Sequence, residues 1–108
     1  MKAKVFEFSY DDPTILPGDR WAVYINFHLI GEGERSVHSE RIYTMVCSKQ
    51  YQQNPGKDSV DDKTIVVELF EKKVIESKIR EIIERINNLG LKTWEEYYSE
   101  IGKYFFVE

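Results

Sequence analysis

RWAVYINFHLI, residues 20–30, places Trp21, Val23, Ile25, Phe27 and Leu29 at alternate positions, with Ala22, Tyr24, Asn26, His28 and Ile30 between them. A period of two puts the first set on one face of a strand and the second on the other, which no helical stripe can do. Gly31-Glu-Gly-Glu34 follows, with residues tolerant of positive φ, as a hairpin tip needs. Upstream, KAKVFEFS alternates as a short strand with Phe6 and Phe8 on one face, and Pro17-Gly18-Asp19 has turn chemistry. Downstream, Ile42–Cys47 is the apolar part of a return strand, Ser48–Asp62 is a polar loop, and Ile65–Phe70 is a further strand.

After Phe70 the period changes. Val74, Ile75, Ile79, Ile82, Ile83, Ile86 and Leu89 recur at three- and four-residue steps, as an amphipathic helix requires, and Asn88 and Gly90 offer its stop. Thr93 followed by Glu96 is a capping box that opens a second helix with Trp94, Tyr97, Tyr98, Ile101 and Phe105 on its buried side. Strands first and helices afterwards predict an α+β fold: a four-stranded antiparallel sheet followed by two helices packed on one face. The expected strands lie near 3–9, 20–30, 36–47 and 64–70 and the helices near 72–89 and 94–104. All 108 residues form one domain, since two would each be short of a core, and 42% hydrophobic residues suffice to pack one.

The net charge of −4 disfavours non-specific nucleic-acid binding, which needs clustered Lys and Arg. Glu7, Asp11 and Asp12 interrupt any apolar stretch after Lys2 and Lys4, and no run is long enough to span a membrane, so a cytoplasmic location is expected. The acids are concentrated in loops. Val5–Asp19 holds four acids and no base, whereas residues 63–86 hold six bases and five acids. Asp11, Asp12, Glu32, Glu34, Asp58, Asp61 and Asp62 are therefore the candidate contacts for a basic protein partner. The alternative docking surface is the sheet face around Tyr24, Asn26 and His28.

Signals for chemistry are weak. His28 and His38 approach one another if the hairpin turns near Glu32–Gly33, with Glu34 or Glu40 as a third ligand, but the spacing is not that of a zinc site, and both are read as ordinary sheet residues. Cys47, the single cysteine, follows Met45 and Val46 and is read as a buried small hydrophobe. The neighbouring acids Glu95 and Glu96 suit the first turn of a helix. No catalytic residue, metal or cofactor is assigned.

The strand ending Ile30-Gly31, Val46-Cys47-Ser48 followed by Tyr51, the isoleucine helix leading to Thr93-Trp94-Glu95-Glu96, and the ending Lys103-Tyr104-Phe105-Phe106-Val107-Glu108 together carry a resemblance. From Trp21 onward the chain resembles immunity proteins of bacterial polymorphic-toxin and contact-dependent growth inhibition systems, specifically immunity protein family eight. Tyr51 stands where that family prefers tryptophan, and a tryptophan near Val107 is missing. The shared positions are core-type, so no binding residue is carried over. The resemblance implies a non-enzymatic protein that binds and neutralises a cognate toxin domain, often a nuclease. The other expectations are an assembly module forming a homo-oligomer through an edge strand, and a small-ligand-binding domain using the concave sheet face.

Overall fold

The computed structural model describes residues 1–108. Its strands are β1 (Ala3–Tyr10), β2 (Thr14–Leu16), β3 (Arg20–Gly31), β4 (Ile42–Ser48), β5 (Ile65–Val67) and β6 (Phe106–Val107); its helices are α1 (Lys49–Gln53), α2 (Lys72–Asn87) and α3 (Trp94–Ile101). The expected α+β architecture is present. β3 is the spine, paired antiparallel with β1 and β2 along one edge and with β4 along the other. β1 and β2 follow one another along the same edge of β3, interrupted at Asp11-Asp12-Pro13, where proline has no N–H to give a ladder.

Several details depart from the expected four strands. β2 and β6 are additional, and β5 lies parallel to β4, which β6 meets antiparallel. The parallel pairing follows from the connection: Ser48–Asp62, expected as loop throughout, contains α1, and the chain crosses one face of the sheet before β5. Leu69 and Phe70, expected in the last strand, lie beyond it, and residues 36–41 contribute a single bridge, Ile30 to Val37. Glu7, at φ 53°, sits in a bulge between Phe6 and Phe8. The extra residue reverses the alternation. Val5, Phe8 and Tyr10 turn to the core side, while Phe6, expected beside Phe8, stands opposite His28 and is 41% exposed.

Both faces of β3 are used. Val23, Ile25, Phe27 and Leu29 pack with Ile75, Ile79, Ile83 and Ile86 of α2, Tyr97 and Ile101 of α3, and Phe105. On the other face Ala22, Met45, Cys47 and Tyr51 form a smaller core beneath α1, with Cys47 fully enclosed and its thiol pushed up by desolvation. Ser48 holds this second layer on. It is buried, caps α1 by accepting from Tyr51 N at 3.1 Å, accepts from Trp21 N at 3.2 Å, and donates to Asp19 O at 2.7 Å. Val74 and Leu89, expected on the buried stripe of α2, are 41% and 55% exposed, Val74 because it flanks that stripe and Leu89 because the helix ends at Asn87, before it. No helix is long and apolar enough to cross a membrane.

At the far end of α2 the buried polar side chain of Asn87 completes the sheet edge. Ala3 N donates to Asn87 Oδ1 at 2.9 Å, Asn87 Nδ2 donates to Ala3 O at 2.8 Å, and the Tyr97 hydroxyl donates to the same Oδ1 at 2.6 Å. An apolar replacement strands all three groups, each of which costs about 1–3 kcal/mol when left unpaired and buried. Asn87→Leu should therefore lower the urea-unfolding free energy by on the order of 3 kcal/mol, and Tyr97→Phe by about 1 kcal/mol. Burial, with a smaller contribution from Glu84, pushes the Tyr97 phenol up to about 12. Its contribution to stability is intact below the ordinary tyrosine value near ~10 and is lost as pH climbs towards the folded value, so Tyr97→Phe should flatten part of the alkaline loss.

Candidate functional site

The side of the sheet away from α2 and α3 is roofed only in part. α1 and the following loop cover Ala22, Met45 and Cys47, but the next positions along β3 emerge from beneath them. Tyr24, Asn26 and His28 are half-buried there, and the register sets Tyr43 beside Asn26, Phe106 beside Tyr43 and Phe6 beside His28. The Tyr24 and Tyr43 rings meet edge-on at 6.3 Å, and Tyr43 stacks on Phe106 at 5.3 Å with 20° between planes. Arg41 lies 5.2 Å from the centre of the Tyr43 ring and Lys63 4.4 Å from that of Phe106. His28 Nδ1 donates to Glu40 O at 3.0 Å, which ties the chain before β4 to this face.

Two of the three acidic groups border this surface. Asp11 N donates to Tyr24 O at 3.0 Å, and Asp11 Oδ1 accepts from Asn26 Nδ2 at 3.1 Å. From the opposite side come Asp58 and Asp61. Desolvation raises the Tyr24 phenol above its usual value, and the fields of Asp58 and then Asp61 raise it further, as carboxylates close to the ring must. The main chain aims both. Asp58 O accepts from the buried Tyr51 hydroxyl at 2.8 Å, and Asp61 Oδ1 accepts from Lys63 N at 2.9 Å and from Thr64 Oγ1 at 3.2 Å. Asp12 and Asp62 are their exposed neighbours. The acidic loops and the sheet face, treated as alternatives above, are thus parts of one surface.

Glu32 and Glu34 do not join it. They lie beyond Gly31, roughly 20 Å along β3 from Asp11 at ~3.3 Å per residue. Glu34 is occupied internally: Trp94 Nε1 donates to Oε1 at 3.1 Å, and His38 Nε2 lies 2.8 Å from Oε2. His38 Nδ1 is 2.9 Å from the Tyr98 hydroxyl, so a proton on Nε2 lets the imidazole donate to Glu34 and accept from Tyr98. Glu34 therefore clamps the hairpin tip to α3. The same arrangement separates the histidines, since His38 turns towards α3 and His28 towards the open face. They do not converge on a metal position.

Sequence reasoning missed Tyr43, Phe106, Arg41 and Lys63. Tyr43 alternates with buried Ile42 and Thr44, which signals an outward position, whereas the two-residue β6 is too short to show a period. Comparison with protein-family models, with curated proteins and with solved structures gives no match for this chain.

The Glu34–Trp94 contact depends on Gly31. A Cβ there would lie 2.4 Å from Glu34 Oε1 and 2.7 Å from a ring carbon of Trp94. Gly31→Ala should cost about 1–3 kcal/mol, as overpacking of a filled site does. With Trp21→Phe as background, Trp94 emission should also shift to longer wavelength. An unchanged spectrum and melting point would remove the clamp from the account.

Proposed function

We propose that this chain is a cytoplasmic immunity protein that binds a cognate toxin domain and blocks it by steric and electrostatic occlusion. The observation that carries the reading is the convergence of Asp11 with Asp58 and Asp61 around Tyr24 and Asn26 on a half-open aromatic face. Protein interfaces are enriched in tyrosine and phenylalanine at their centres, where rigid rings give contact area at little entropic cost. A bordering set of carboxylates suits a partner with a basic cleft, as a nuclease needs to hold phosphates, and complementary fields speed encounter. The resemblance from Trp21 onward points the same way. Inhibition by coverage requires no nucleophile or metal, in keeping with a buried Cys47 and histidines spent on structural hydrogen bonds.

The test needs the cognate toxin domain, to be sought first in the gene adjoining the one that encodes this chain. Reversing Asp58, Asp61 and Asp62 to lysine, and separately Asp11 and Asp12, should each slow association by about 10-fold or more at low salt, with the difference shrinking as salt rises. Tyr24→Ala with Tyr43→Ala should raise the dissociation rate, because ring contacts act after encounter. Glu32→Lys, at the far end, should change neither rate more than about 2-fold. Full protection by every variant, with a salt-independent on-rate, would refute the proposed surface.

A further inference from the structure

The molecule extends 45 Å along its long axis and 22 Å along each of the other two. Exposed apolar side chains gather where β5 hands over to α2. Leu69 is 69% exposed and Val74 41%, Phe70 is 43% exposed although its ring meets Trp21 and Tyr10 edge-on, and Ile15, opposite Trp21 in the β2–β3 register, is 75% exposed. Beside them β5 is a free sheet edge: its ladder runs to β4 alone, and no other backbone or side-chain hydrogen bond engages its outer main chain. A groove runs along this edge, with Val66, Val67 and Leu69 on one wall and Glu71, Val74 and Lys78 on the other.

The helical wall has an order that selects its occupant. Glu71, Val74 and Lys78 fall at i, i+3 and i+7, one stripe reading acid, apolar, base. Neither Glu71 nor Lys78 takes part in an ion pair. A two-fold axis passing beside Val74 inverts the stripe onto itself. Glu71 then faces Lys78 of the partner subunit, Lys78 faces Glu71 of the partner subunit, and the two valines meet at the centre, as an isologous contact demands. Antiparallel pairing of β5 with its own copy would likewise obey two-fold symmetry and satisfy the free edge.

We propose that the chain self-associates through the β5 edge and the Glu71–Val74–Lys78 stripe, its partner being a second copy of itself. The surface is separate from the acidic aromatic face, so the inference does not rest on toxin binding. A three-residue strand and two helical turns offer less than the ~800 Å² per partner of a standard interface, so the dimer belongs with the weak, concentration-dependent ones.

Sedimentation velocity from about 5 μM to about 500 μM at low salt tests it, with circular dichroism confirming the fold of each variant. The wild-type chain should pass from monomer to dimer across that range. Glu71→Lys and Lys78→Glu, both at exposed positions, should each weaken association by at least ~10-fold, because each sets like charges opposite one another. The combined swap should recover to within ~3-fold of the wild type, and Leu69→Asp should remain monomeric. A wild-type chain that stays monomeric throughout, or a swap no better than its single parents, would overturn the proposal.

Discussion

One amide side chain joins the start of the chain to its end. Asn87 lends the edge of β1 a donor and an acceptor, as a neighbouring strand would, and takes the Tyr97 hydroxyl on the oxygen it has already offered to Ala3. Strand, long helix and final helix are thereby held in one relative position by buried hydrogen bonds that cannot be exchanged for water. Hydrophobic packing alone would tolerate a small slide of α2 over the sheet. Directional bonds at Asn87 do not, and the order of everything packed on α2 follows from them.

That rigidity matters because the opposite side of the sheet is incomplete. With α2 and α3 covering one whole face, the alternation of β3 leaves Tyr24, Asn26 and His28 on the other, and α1 reaches only as far as Ala22. A half-open aromatic surface is thus presented by the central strands of the sheet, while its charged border is supplied by loops. Scaffold and border have different tolerances. The rings are positioned by the ladder, and the carboxylates by main-chain bonds at the loop ends.

The long periodic elements were legible. The period of two in residues 20–30 and the three-four spacing after Phe70 each repeat often enough to dominate local noise, and Thr93 caps α3 as expected, accepting from Glu96 N at 3.1 Å, while the Glu96 carboxylate takes the Thr93 hydroxyl rather than its main-chain N–H. The misses share a cause. A bulge at Glu7, a five-residue helix after Ser48 and a two-residue strand at Phe106 are too short to show a period, and each is imposed by distant partners. Parallel pairing of β5 depends on which way the chain crosses the sheet, a property of the path. The acidic loops were identified by charge, but charge carries no information about neighbours. Glu34 looks like Asp58 in the sequence and differs only because Trp94 and His38 happen to reach it.

Ser48 carries a different kind of consequence. Its hydroxyl joins β3, the turn at Asp19 and the first turn of α1 while touching main-chain atoms only. No side chain in the loop that follows contributes to that junction. Within residues 54–62, exposed side chains such as Asp62 can therefore change without disturbing that junction, whereas Gly56, the Asp58 carbonyl and Val60 are tied to Tyr51 and its core. The outward side chains of this ribbon and the frame that carries it are thus set by different contacts.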